Sequence, residues 1–129
     1  MDPAVWEGRF IRVRKAGHWE YVQRTNASAV VAVTAVTEAG ELVLVEQYRP
    51  PVARRVIELP AGLAGDLADA PDEDTVLAAA RELHEETGFE AENWKKLGEG
   101  PVSAGLSDEV IEFWGARGLR RTAHGGGDD

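Results

Sequence analysis

Residues 81–89 read RELHEETGF and place three carboxylates and one guanidinium on about two helical turns before a glycine. On a helix, Glu82 and Glu86 are four positions apart and Glu85 follows Glu82 by three, so the three side chains are expected to converge on one side. Like charges this close repel each other unless a cation neutralises them, and oxygen ligands favour a hard ion such as Mg²⁺ or Mn²⁺. The run therefore predicts a helix that carries a divalent metal site. A solvated acidic helix face is the alternative.

The predicted helix has signals for its start, its end and its buried face. Asp72 or Asp74 can cap its first turn, and Gly88 can end it. Arg81 lies four positions before Glu85 and is expected to orient that carboxylate through an ion pair. The apolar stripe expected to dock on a sheet consists of Val76, Leu77, Ala80 and Leu83.

The rest of the chain is dominated by extended patterns. Residues 6–14 and 18–24 alternate apolar and polar side chains and predict an antiparallel hairpin. Residues 29–36 predict a buried strand, with residues 41–47 as its partner. Further strands are expected at 56–59, 94–97, 100–102 and 110–116, with a loop from Pro60 to the helix. These elements predict an α+β domain with a mixed β-sheet, one motif helix and an N-terminal β-hairpin.

Composition limits the classes of protein that this chain can be. Its 129 residues suffice for one domain, and 43% apolar content allows a buried core. The net charge of −9 disfavours a nucleic-acid-binding surface. The sequence has no cysteine, no signal-peptide pattern and no run of 18 apolar residues, so a cytoplasmic location without membrane association is expected.

The acidic run also resembles part of a known motif. It is similar to the second half of the Nudix box, G-x5-E-x7-R-E-U-x-E-E-x-G-U, where U is a bulky apolar residue. Glu73 stands eight positions before Arg81, as the motif requires, and Gly62 is the counterpart of the first glycine if the loop is longer by about five residues. The residues that match are Arg81, Glu82, Leu83, Glu85, Glu86, Gly88 and Phe89. The resemblance implies the Nudix fold, an α/β/α sandwich.

Segments outside the box resemble the ADP-ribose pyrophosphatase branch of this family. They are residues 46–51 (EQYRPP), 58–62 (ELPAG), 103–109 (SAGLSDE) and the terminal glycines. The resemblance implies that residues 27–129 form the Nudix hydrolase domain and that the hairpin at residues 1–26 is a dimerisation element, so a homodimer is expected. Trp6 and Trp19 of this hairpin are interpreted as core or dimer contacts. Further glutamates, a strand and a helix usually follow in this branch, so the C-terminal end is expected to be incomplete.

The resemblance assigns roles to individual residues. The implied metal ligands are Glu82, Glu85, Glu86 and the carbonyl of Ala61. The general base is Glu85 or Glu109. The implied substrate-binding residues are Arg49, Glu58 and Arg55, although a surface ion pair is the alternative for Arg49. Glu73 is assigned a structural role.

The implied reaction is Mg²⁺-dependent hydrolysis of the diphosphate in ADP-ribose or a nucleoside diphosphate sugar, giving a nucleoside monophosphate and a sugar phosphate. Ala104 stands where the branch usually has proline, so nucleoside diphosphate sugars remain open beside ADP-ribose. One alternative is hydrolysis of another derivative, such as a dinucleoside polyphosphate or a dinucleotide cofactor. The other is a non-catalytic module that binds nucleotide sugars.

Overall fold

The computed structural model describes residues 3–26, 29–65 and 74–126. The strands are β1 (Trp6–Glu7), β2 (Ile11–Ala16), β3 (Trp19–Arg24), β4 (Ala29–Ala35), β5 (Val45–Arg49), β6 (Arg54–Glu58), β7 (Ala61–Ala64), β8 (Phe89–Pro101) and β9 (Val110–Arg121). Helix α1 spans Thr75–Thr87, and a 3₁₀ turn at Pro50–Val52 joins β5 to β6. The expected loop insertion and Glu73 lie outside the described residues.

A four-stranded mixed sheet forms the centre of the molecule. Its order is β7-β4-β9-β8, and β4 and β9 run parallel while the outer pairs are antiparallel. Helix α1 packs on one face of this sheet, and the fully buried residues lie between them: Val31, Val33, Ala35, Ala64, Ala78, Ala79, Leu83 and Ala116. The predicted α+β class with a mixed sheet and a motif helix is confirmed. In the described ranges α1 is the one α-helix, so one helical layer of the sandwich is seen.

Helix α1 has the predicted ends but a different buried face. Asp74 accepts a hydrogen bond from the Val76 N–H (3.3 Å), and Gly88 ends the helix with φ of 78°. The predicted stripe is wrong at Leu77, which is 62% exposed, whereas Leu83 is fully buried and Val76 and Ala80 are partly buried. The residues buried on α1 are Ala78, Ala79, Leu83 and Thr87. Their mostly small side chains let the helix approach the sheet closely.

Three strand assignments differ from the sequence prediction. The segments expected at 94–97 and 100–102 form one continuous strand, β8. The partner of β5 is β6, whereas the expected pairing with β4 is reduced to a single bridge between Val36 and Leu42. The expected loop after Pro60 begins instead with β7, which pairs with β4. Pairing partners depend on contacts that are distant in sequence, so local patterns could not specify them.

The N-terminal segment forms a three-stranded sheet, β1-β2-β3, one strand more than the predicted hairpin. Strand β3 contacts the 103–109 segment of the same chain, where the Val22 N–H donates to the Leu106 carbonyl (2.7 Å) and Trp19 Nε1 donates to the Gly105 carbonyl (3.0 Å). The interpretation of Trp6 and Trp19 as core residues is wrong, since more than half of the surface of each residue is exposed. No helix in the described part of the chain is long and apolar enough to cross a membrane.

Candidate functional site

Two of the predicted carboxylates meet the start of β7. The Ala61 N–H donates to Glu86 Oε2 (2.9 Å). The next residue, Gly62, faces Glu82 so closely that a Cβ there would lie 2.0 Å from the Glu82 carboxyl carbon. Helix α1 supplies the carboxylates and β7 supplies a backbone donor and a gap without a side chain. A side chain at position 62 would therefore displace the Glu82 carboxylate from its observed place.

Burial makes the charge on Glu82 unfavourable. Its side chain is 13% exposed, and burial raises the pKa of Glu82 to about 7 against the opposing effect of Arg81, with smaller upward contributions from Glu86 and Glu85. Arg81 contacts Glu82 Oε1 at 3.0 Å and donates to the Leu63 carbonyl at 3.1 Å. Its Nη1 lies 3.7 Å from Glu85, so the expected Arg81–Glu85 contact is present but is longer than the Glu82 contact.

Burial also makes the charged form of Glu86 unfavourable. Burial raises the pKa of Glu86, and the hydrogen bond from Ala61 and the positive charge of Arg49 oppose that rise. Glu58 and Glu85 raise it further. A cation placed between these carboxylates would remove both the repulsion and the burial penalty, so the site fits a hard divalent ion by its donor chemistry.

Arg49 and Glu58 form a bidentate pair beside Glu86. Arg49 Nε and Nη2 donate to the two Glu58 carboxylate oxygens at 2.6 and 2.7 Å, across the β5–β6 pair. This hydrogen bonding raises the pKa of Arg49, and the Arg49 side chain is 44% exposed. A guanidinium has five N–H donors, so the remaining ones can bind an anionic ligand.

Glu85 stands apart from the other two glutamates. Its side chain is 51% exposed, and its partner is Arg81. Within the described ranges, no group of three or more histidine, aspartate or glutamate side chains is placed to hold a metal ion. The expectation that all three carboxylates converge is therefore corrected. The structure brings Glu82 and Glu86 together at β7, whereas Glu85 lies on the more exposed side of α1. The cause is the rotation of α1 against the sheet, which buries Ala78 and Ala79 and leaves Glu85 on the exposed side of the helix.

Two other predicted residues form contacts that do not involve α1. Glu109 forms an ion pair with Arg24 of β3. Arg55 forms an ion pair with Glu46 across the β5–β6 pair. Sequence reasoning also missed a cluster in which Lys96 lies 3.3 Å from Glu112, and Glu112 accepts from the Thr75 hydroxyl (3.0 Å). It ties the first turn of α1 to β8 and β9, which no local pattern indicated.

Comparison with known proteins matches this arrangement to a family. The family model of the NUDIX domain matches residues 25–116. A methanol dehydrogenase activator of Bacillus methanolicus is 39% identical over 77% of this chain and 51% of its own length. An ADP-ribose pyrophosphatase of Mycobacterium tuberculosis is 43% identical over 70% of this chain and 42% of its own length. An ADP-ribose pyrophosphatase of Bacillus subtilis is 36% identical over 81% of this chain and 52% of its own length.

The chain spans about half the length of these curated relatives. The crystal structure of an ADP compounds hydrolase aligns with 95% of this chain and 68% of that one, with a TM-score of 0.72 and 20% identity, which is a likeness of fold. The match to the NUDIX model covers well over half of the chain and includes β7 and α1 with their two facing carboxylates. The chain therefore belongs to the NUDIX domain family.

Proposed function

We propose that the protein is a Mg²⁺-dependent hydrolase that cleaves the diphosphate of ADP-ribose or a nucleoside diphosphate sugar, releasing a nucleoside monophosphate and a sugar phosphate. The observation that carries this proposal is the pair of buried carboxylates, Glu82 and Glu86, held at β7 beside the Arg49 guanidinium. The names of the relatives in Mycobacterium tuberculosis and Bacillus subtilis support the substrate class.

Glu82, Glu86 and the Ala61 carbonyl would hold the ion, with Glu85 as a further ligand from the exposed side of the helix. Their oxygen donors suit Mg²⁺, and Mn²⁺ is the expected substitute. A divalent ion supplies positive charge to the diphosphate oxygens and lowers the pKa of a water molecule.

The chain's own residues would orient the substrate and accept the proton. Arg49 would bind a phosphate oxygen with its free donors, while Glu58 holds the guanidinium in place. Arg55, on the same β5–β6 pair, would contribute a second positive charge near the substrate. Glu85 is exposed enough to accept the proton of the attacking water, and Glu109 is the rival base from the 103–109 segment.

The proposal extends to the assembly and its location. Residues 1–26 would form a dimerisation element, residues 27–129 the hydrolase domain, and the homodimer would act in the cytoplasm. The exposed tryptophans on the N-terminal sheet support the first part.

The experiment is a phosphate-release assay with a coupled phosphatase. ADP-ribose, UDP-glucose, GDP-mannose, diadenosine polyphosphates and NADH are each tested with Mg²⁺ and with EDTA. Glu86→Gln is the matched variant, because it removes the ligand charge with almost no change in volume. We expect metal-dependent cleavage of a diphosphate sugar by the wild type and a loss of at least about 100-fold in Glu86→Gln, with an unchanged circular dichroism spectrum.

Cleavage of the polyphosphates or NADH alone would instead support the alternative hydrolase. Binding of a nucleotide sugar without turnover of any substrate would support a non-catalytic module. Glu86→Gln activity within a few fold of the wild type would contradict the role of Glu86.

A further inference from the structure

The segment after β9, residues 122–126, which we call the strap, crosses the C-terminal end of α1. The Thr122 and Ala123 N–H groups both donate to the Gly88 carbonyl, at 2.8 and 3.2 Å. The Gly126 N–H donates to the backbone carbonyl of Glu86 at 2.9 Å. Carbonyls in the last turn of a helix lack partners within the helix, so the strap supplies a partner that water would otherwise provide.

The approach is backbone against backbone and leaves no room for side chains. A Cβ at Gly125 would lie 2.4 Å from the Thr87 carbonyl carbon and 2.7 Å from the Gly88 nitrogen. A Cβ at Gly88 would lie 2.0 Å from the Ala123 carbonyl oxygen. Gly125 also has φ of 77°, which disfavours any other residue. Both glycines are therefore needed for the observed spacing.

Glu86 is fixed from two sides as a result. Its backbone carbonyl is held by Gly126 of the strap, and its carboxylate is held by the Ala61 N–H of β7. Arg121 supports the strap from its start, with Nη1 donating to the carbonyls of Ala123 and His124 at 3.4 and 3.3 Å. A shift of the last helical turn would move the carboxylate that faces β7.

We propose that the strap positions Glu86 and that Gly125 is the positioning residue that sets its distance from the helix. The catalytic consequence rests on the proposed function. The positioning itself can be measured in the metal-free protein, because the Ala61 amide reports directly on the Glu86 carboxylate. Strap and substrate do not need to touch for this effect.

The test is amide hydrogen exchange of Ala61, followed by NMR in the presence of EDTA. Gly125→Ala introduces the clash with the end of the helix. Gly40→Ala is the matched control, since Gly40 has a similar φ of 80° in a remote turn and an added Cβ there would meet nothing within 4 Å. Glu86→Ala removes the acceptor and gives the rate expected for an Ala61 amide that has lost its bond.

We expect Gly125→Ala to accelerate Ala61 exchange about tenfold, towards the Glu86→Ala rate, as the loss of one hydrogen bond at the upper end of the usual range would do. Gly40→Ala should leave the exchange rate near that of the wild type. Equal Ala61 rates in folded Gly125→Ala and Gly40→Ala would overturn the proposal. If Gly125→Ala does not fold, Arg121→Gln serves instead, and an unchanged Ala61 rate in that variant would likewise overturn it.

A second readout separates this proposal from the proposed function. Mn²⁺ binding to the same variants is titrated by electron paramagnetic resonance. Mg²⁺ activation curves are recorded with the substrate that the wild type is found to cleave. We expect a weaker Mn²⁺ affinity and a higher Mg²⁺ requirement in Gly125→Ala than in Gly40→Ala. If Gly125→Ala accelerates Ala61 exchange but the wild type cleaves no substrate, the positioning role of the strap is supported and only the proposed hydrolase activity is refuted.

Discussion

Glu82 shows how a single carboxylate can couple the proposed metal site to stability. Its folded-state pKa of about 7 lies above its ordinary value of 4.5. Between these two values the folded protein holds the proton more tightly than the unfolded chain. The free energy of unfolding of the metal-free protein should therefore fall as the pH rises from about 4.5 to about 7, and this contribution should level off above that. Glu86, whose pKa is also raised, contributes in the same direction.

Thermal unfolding in EDTA across this range checks the expectation for Glu82. Glu82→Gln should flatten the pH dependence, because the amide does not titrate. Added Mg²⁺ should stabilise the wild type most at the upper end of the range, where both carboxylates are ionised. Parallel pH profiles for Glu82→Gln and the wild type would contradict the assignment.

At the scale of the element, α1 depends on its N-terminal cap. Asp74 accepts from the Val76 N–H. Asp74→Ala should lower the free energy of unfolding by about 1 kcal/mol, as the loss of a capping side chain usually does. Urea unfolding measures this change. Asp74→Asn is the control, since asparagine caps about as well as aspartate. Equal losses in the two variants would show that charge, rather than capping, is the relevant property.

Elements defined by local chemistry were the ones that the sequence could predict. A capping aspartate, a spaced acidic run and a terminal glycine predict helix α1, and all of them lie within the helix or directly beside it. Strand β7 was missed because Pro60, Ala61 and Gly62 have the composition of a loop, and its pairing with β4 is what makes it a strand. The same reason explains the wrong partner for β5.

In the candidate site, too, local features were predictable and features that depend on distant contacts were not. The Glu82 and Glu86 pair was predictable from helical spacing. The outward position of Glu85 depends on how α1 is rotated against the sheet, and that rotation is set by Ala78 and Ala79 rather than by the larger Leu77. The strap could not be predicted, because it joins two glycines that are distant in sequence through backbone contacts.

At the scale of the whole molecule, the N-terminal sheet leaves large apolar side chains in contact with water. Val5, Trp6, Phe10 and Trp19 are all more than half exposed. We expect them to be covered in a homodimer, since exposed apolar patches of this kind commonly mark interfaces. Light scattering at micromolar concentration should give twice the chain mass of 14.0 kDa.

A variant tests where the interface lies. Trp6→Ala should shift the protein towards monomer. Leu77→Ala, which truncates a similarly exposed side chain on α1, should leave the mass unchanged. A wild-type monomer, or a dimer indifferent to Trp6, would place the interface elsewhere or remove it.

The parallel pairing of β4 with β9 also sets the order in which the chain can fold. Val30 lies beside Ile111, about 80 positions further along. Hairpins such as β2–β3 and β5–β6 need only neighbouring residues and can close within microseconds. On the ribosome, β4 would wait roughly 4 to 16 s for β9 at the usual synthesis rate of about 5–20 residues per second. During that interval the most apolar strand of the protein lacks the partner that completes the sheet, so nascent-chain protection matters most for residues 29–35.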